Sequence, residues 1–172
     1  MPSDRPSPGA RTTRPAPRRS VVARVHFRLH TNLEPQAVVA ALTDFGPSRA
    51  DTWPNVDVAH LEVHDAGPGW ADVTEGSSVA GGVWERLRYD WADGDRLSAV
   101  TVDSNTWAPG SRWDYRLEPG AGGGTDVDVR VLRIGSGLKG RLLGGYIALF
   151  GARRLRGDMQ RALARAAARQ AG

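Results

Sequence analysis

The chain has 172 residues, 23 Lys and Arg against 19 Asp and Glu, and no cysteine, which is the size of one domain with a tail. A chain this long removes roughly two-thirds of its unfolded surface from water, so it needs no staples to hold a core. The missing cysteines exclude a disulfide scaffold, a thiolate nucleophile and any Cys-ligated zinc or iron–sulfur centre. The longest apolar run, Leu142 to Ala152, falls well short of the ~18 residues of a membrane span.

The charge is unevenly placed. Residues 1–20 hold five Arg and one Asp, a net +4. Residues 21–133 hold ten Arg against seventeen acids, a net −7, and residues 134–172 hold Lys139 and seven Arg against Asp158, a net +7. Residues 1–19 carry five prolines and almost nothing apolar, so they cannot bury enough surface to offset their ordering entropy. They lack the apolar stretch of a secretory signal, and the prolines prevent an amphipathic transit helix. We expect a disordered tail over 1–19, a folded domain over 20–172 and a cytoplasmic protein.

Taken in chain order, the pattern first turns to period two after Ser20. Ala23, Val25, Phe27 and Leu29 alternate with Arg24, His26, Arg28 and His30, as in a strand with one wet face. Pro35 suits a first helical turn, and Val38, Val39 and Leu42 give an apolar face to a helix over about 35–44, ended by Gly46-Pro47. A second helical turn precedes Trp53-Pro54. Strands are then predicted over 56–64, 70–76, 83–91, 96–103, 111–117 and 125–134, separated by Gly, Pro and Asp turn signals such as Ala92-Asp93-Gly94-Asp95.

Residues 136–170 read as a helix with two apolar faces. Leu142, Tyr146, Leu149 and Phe150 form one, and Leu155, Met159, Ala162, Leu163 and Ala166 the other. On an unbroken rod these point in nearly opposite directions, which predicts a kink near Gly151 or a first half buried on both sides. Gly144, Gly145 and Gly151 are expected to leave room beside it. The fold class is therefore α+β. A seven-stranded, curved antiparallel sheet wraps a long C-terminal helix, with two short helices between strands 1 and 2, and an incomplete wrap leaves a cavity.

The strand–Pro35-helix–Trp53-Pro54 opening, the hairpin series, the run Gly135-Ser136-Gly137-Leu138-Lys139-Gly140 and the final helix together resemble the START-like, or SRPBCC, helix-grip superfamily. Within it the chain is similar to the polyketide cyclase/dehydrase and lipid-transport group over about 20–170. The resemblance implies a cavity for a hydrophobic small molecule or lipid. Catalytic residues vary among such relatives, and no motif carries a particular set onto this chain.

Strand alternation and, for Tyr146 and Phe150, an apolar face of the helix nominate the cavity lining. It comprises Phe27, Leu61, Val73, Glu85, Leu87, Tyr89, Trp91, Trp113, Tyr115, Val129, Tyr146 and Phe150. Glu85 is the candidate catalytic or anchoring group. A carboxylate among Val83, Leu87, Tyr89 and Trp91 is desolvated with a raised pKa, or paired with a cavity Arg. A bulge that shifted the strand's face would remove it from the cavity.

Gly135-x-Gly137-x-x-Gly140 matches a dinucleotide fingerprint, but no further parallel strand follows, so a bend from strand to helix is the better reading and no cofactor is expected. The histidines at 26, 30, 60 and 64 fall on polar strand faces. The resemblance implies that their strands are neighbours, which would gather all four, yet a solvated face is the plainer reading and no metal is expected.

The leading function is binding of a hydrophobic small molecule or lipid, with a polyketide aromatase/cyclase-like enzyme as alternative. A third reading is a surface-interaction protein whose basic tail and helix make weak contact with anionic membrane. The basic segments lack the aromatic interleaving of a nucleic-acid surface, so no nucleic acid is expected. No pattern in the chain sets an oligomeric state.

Overall fold

A computed structural model describes residues 22–53, 56–78 and 81–170. The tail expected over 1–19, Pro54 and the ends of the 20–172 domain lie outside them. The alternating segment forms β1, Val22–Thr31, whose inward residues Ala23, Val25, Phe27 and Leu29 are buried and whose outward ones are exposed. α1, Pro35–Thr43, starts with Pro35 in its first turn, where the absent N–H costs nothing. The helical turn α2 spans Arg49–Thr52.

The remaining strands are β2 Glu62–Gly67, β3 Trp70–Ser77, β4 Val83–Asp90, β5 Arg96–Ser104, β6 Arg112–Pro119 and β7 Thr125–Ile134. They form one antiparallel sheet in the order β1-β7-β6-β5-β4-β3-β2. The first strand thus pairs with the last, and β1 and β2 occupy opposite edges. The sheet curves around α3, Gly137–Gln170, as in the helix-grip architecture.

Three expectations need correction. The strand expected over 56–64 starts only at Glu62, because Val58–His60 winds into a 3₁₀ turn capped by the Asp57 carboxylate on the Ala59 amide. Its residues 62–66 are exposed, as suits a polar edge strand. The four histidines do not gather, since β1, with His26 and His30, lies at the edge opposite β2, which carries His64 and follows the turn that carries His60. His26 and His30 instead face Asp128 and Asp126 across β1 and β7, at 2.9 and 2.8 Å.

The third correction concerns α3, which runs as one helix with no break at Gly151. Its first half is not buried on both sides. It turns Gly140, Gly144 and Gly151 inward and leaves Leu142, Tyr146, Leu149 and Phe150 exposed. The same side of the rod then buries Met159, Ala162, Leu163 and Ala166 farther along. The glycines serve close approach rather than empty space. A Cβ on Gly151 would lie 3.0 Å from Val25 of β1, and one on Gly140 only 2.1 Å from the Thr106 carbonyl oxygen.

The bend that enters α3 is held by backbone. Ser136 N–H donates to Thr106 O at 2.8 Å, and Ala108 N–H donates to Ile134 O at 2.8 Å. Gly135 packs against the Gly140 carbonyl, where a Cβ would come within 2.4 Å, and Gly137 has φ +63°. The spacing that resembles a dinucleotide fingerprint is therefore accounted for by packing.

Two substitutions separate these roles. Gly140→Ala drives a methyl into the Thr106 backbone and lowers stability by roughly 1–3 kcal/mol or more. Gly145→Ala meets nothing within 4 Å and gains roughly 1 kcal/mol of helix propensity. Urea denaturation of both variants checks the opposite signs.

Candidate functional site

Between the sheet and α3 lies a half-open cavity of about 300 Å³. β3 and β4 contribute Glu75, Ser77, Val83, Glu85, Leu87 and Tyr89, β6 contributes Trp113 and Tyr115, and β7 contributes Arg133. Leu42, Arg49, Trp53, Val56 and Trp107 come from the connecting segments, and Leu143, Leu155, Asp158 and Met159 from α3. Period-two geometry puts Leu87 and Tyr89 on the same face as Glu85, and Trp113 on the same face as Tyr115. The rings of Trp113 and Tyr115 are nearly parallel at 6.2 Å.

A bulge does occur here, but on the partner strand. Arg86 lies opposite Asp103 and Leu87 opposite Thr101, so the extra residue is Val102 of β5. β4 keeps its parity and Glu85 stays inward. Thr101, buried beside it, donates its hydroxyl to Glu85 Oε2 at 2.9 Å.

Two buried arginine–carboxylate pairs line this apolar space. Arg133 grips Glu85 with both ends of its fork, Nη1 to Oε2 at 2.8 Å and Nη2 to Oε1 at 3.0 Å. The Arg133 guanidinium sits 5.3 Å from the Trp107 ring and 5.0 Å from the Trp113 ring. Both Glu85 oxygens are thus engaged, as a bidentate pair in a poorly solvated site requires.

The second pair is less complete. Arg49 Nη2 lies 2.6 Å from Glu75 Oε1, off the hydrogen-bonding direction, and neither Arg49 Nε nor Glu75 Oε1 has a hydrogen-bond partner among the described residues. Tyr89 donates its hydroxyl to Glu75 Oε2 at 3.1 Å and accepts from Arg49 Nη2 at 3.3 Å. Arg49 Nη1 donates to the Leu42 carbonyl at 2.7 Å. Burial opposes the Arg49 charge, but the Glu75 carboxylate outweighs it and holds the guanidinium above its ordinary value.

Burial also pushes the Tyr89 and Tyr115 phenols above their ordinary value of 10.0. The Glu75 carboxylate adds to the rise at Tyr89, while Arg49 and Arg133 partly oppose it at Tyr115. Both phenols are therefore neutral donors at physiological pH. The Tyr115 hydroxyl has no protein hydrogen-bond partner among the described residues, and its half-buried ring borders the cavity.

Of the residues nominated from sequence, Glu85, Leu87, Tyr89, Trp113 and Tyr115 line this cavity. Phe27, Val73 and Val129 are buried in the core beyond it, and Leu61 packs against that core. Trp91 is half-buried, with its ring 6.5 Å from that of Phe45. Tyr146 and Phe150 lie outside the cavity on the exposed side of α3, because the glycine side faces the sheet.

Arg49, Glu75 and Arg133 went unnominated. Glu75 continues the inward parity of Ala71 and Val73, and Arg133 that of Val127, Val129 and Val131, so alternation could have found both. Arg49 sits in a four-residue helical turn with no periodicity to read.

Comparison with known proteins identifies relatives at the level of family and fold. The model of a family described as polyketide cyclase / dehydrase and lipid transport matches residues 20–171. Comparison with curated protein sequences gives no match. Among solved structures, the Zhui aromatase/cyclase from Streptomyces sp. R1128 superposes with a TM-score of 0.70 at 15% identity, covering 86% of this chain and 95% of its own. A START superfamily protein from Mycobacterium smegmatis gives 0.58 at 10%, covering 83% and 92%. The ginseng major latex-like protein 151 from Panax ginseng gives 0.55 at 9%, covering 84% and 97%. At such identities these likenesses establish the fold alone.

Two measurements probe the site. Glu85→Leu strands Arg133 without its partner and costs roughly 3–5 kcal/mol, while Glu85→Leu/Arg133→Met together cost much less; urea denaturation of the single and double variants reads the difference. In an alkaline titration followed by phenolate absorbance, Tyr89 and Tyr115 ionise only above pH 10.0. The Tyr89→Phe/Tyr115→Phe variant loses that late phase.

Proposed function

Because the chain belongs to the polyketide cyclase / dehydrase and lipid transport family, we propose that it binds one compact, mostly apolar molecule between the sheet and α3, with an oxygen of that molecule accepting from the Tyr115 hydroxyl. The observation that carries this reading is the cavity itself, about 300 Å³ of aromatic and aliphatic wall with a few converging polar groups. Ligand cavities run from ~300 to 1,000 Å³, so this one suits a small ring system better than a lipid with two long chains. Apolar contact supplies the affinity, and the Tyr115 donor and the two fixed ion pairs supply orientation.

A cyclase-like reaction in the same cavity is the second reading. The Arg49–Glu75–Tyr89 cluster favours it, because a carboxylate and a phenol that are already hydrogen-bonded to each other both border the cavity. Glu85 is a poorer candidate for proton transfer, with both oxygens already accepting.

The test is native mass spectrometry of the full chain with solvent extraction of what it carries, followed by tryptophan-fluorescence titration with the extracted compound. One apolar molecule per chain is expected. Tyr115→Phe should weaken it about fivefold, the worth of one net hydrogen bond. An empty protein that also ignores a panel of hydroxylated aromatic compounds would sink the binding reading. Glu75→Gln that still binds but no longer closes a ring in a reactive polyketone would favour the enzyme.

A further inference from the structure

α3 is built the reverse of an ordinary surface helix. Over its first half the buried positions are Gly140, Gly144 and Gly151, while Leu138, Leu142, Tyr146, Leu149 and Phe150 face solvent with 51–79% of their surface exposed. Five large apolar side chains on adjacent turns are a contiguous patch, and such patches mark interaction surfaces. The Tyr146 and Phe150 rings lie 5.4 Å apart, which joins the upper and lower parts of the patch.

The charge around it narrows the choice of partner. Residues 138–157 contain Lys139, Arg141, Arg153, Arg154 and Arg156 and no acid. Lys139 is spent on the Gly82 carbonyl and Arg154 on Asp158, whereas Arg141, Arg153 and Arg156 make no ion pair among the described residues. Arg153 and Arg156 follow Leu149 at i+4 and i+7, the spacing that stays on one helix face. A second copy of this chain on the same face would set these uncompensated cations against their own kind. Nucleic acid would leave the apolar centre unused.

We propose that the outer face of α3, Leu138 to Phe150 with Arg153 and Arg156 beside it, docks the protein on an anionic lipid surface. The leucines and rings enter the boundary between headgroups and acyl chains, with Tyr146 at the depth where amphipathic rings settle, while the arginines meet lipid phosphates. No helix among the described residues is long and apolar enough to cross a membrane, so the contact is in the plane of the surface. This does not depend on which molecule occupies the cavity. It does place α3 between the two, since Leu143 and Leu155 of the same helix line the cavity.

The test is co-sedimentation of the full chain with phosphatidylcholine vesicles, with and without phosphatidylglycerol. Binding is expected only to the phosphatidylglycerol vesicles, weakening as salt rises. Neutralising Arg153 and Arg156 (R153Q/R156Q) should lower the partition coefficient about twenty-five-fold, at about fivefold per basic residue. Leu149→Glu/Phe150→Glu, at positions exposed in the fold, should lower binding to the phosphatidylglycerol vesicles to the level seen with phosphatidylcholine alone, while circular dichroism and urea midpoint stay unchanged. Equal binding to both vesicle types, or binding indifferent to both double variants, overturns the proposal. So does a dimer in sedimentation equilibrium that Leu149→Glu/Phe150→Glu dissolves, because the patch would then belong to a second copy.

Discussion

Distance between a helix and a sheet is set by what lies between their backbones. Where α3 crosses β1, almost nothing does, because Gly151 stands where a methyl would already crowd Val25. Gly140 holds the same tight approach to the Thr106 carbonyl at the helix entrance. The two ends of the rod are thereby fixed, one by glycine contact and the other by Met159, Leu163 and Ala166 in the core. The space left over falls toward β3, β4 and β6, which is where the cavity opens. A bulkier helix face would have lifted α3 and spread that space along its whole length.

The cavity stays polar at particular points for an equally local reason. Glu85 points inward because β4 keeps its phase, the surplus residue at the register shift being Val102 of β5. Once inside, the carboxylate needs a cation, and Arg133 comes from the end of β7 with Trp107 and Trp113 flanking its guanidinium. The Arg49–Glu75–Tyr89 group repeats the arrangement with less complete satisfaction. An interior with two such pairs resists collapse into simple hydrophobic packing, since collapse would strand charges.

Much of this was legible in the residue order. Alternation located six of the seven strands closely, and it placed Glu85, Leu87, Tyr89, Trp113 and Tyr115 on inward faces. The shortfalls share a cause. Periodicity ranks positions by the size of their apolar side chains, so Tyr146 and Phe150 outweighed Gly140, Gly144 and Gly151, although those glycines mark the opposite side of the helix equally well. Arg133 and Glu75 keep the parity of their strands but end an apolar run, and a charge there reads as the run's boundary. Arg49 reaches the cavity from a connection whose path only tertiary packing decides. The edge position of β2 depends on sheet order, which parity does not encode.

The pairing of β1 has a consequence for biosynthesis. Among the described residues β1 is hydrogen-bonded in the sheet to β7 alone, through ten matched positions from Val22↔Ile134 to Thr31↔Thr125. Its partner therefore leaves the ribosome roughly a hundred residues after it does, a long loop to close before any ladder forms. Until then the nascent chain carries an unpaired, half-apolar ribbon, and α3, which must lie on that ribbon, is made last of all. The domain cannot close progressively from its beginning. Its closure waits on the longest-range pairing in the sheet, and until then the edge of its first strand is open to wrong partners.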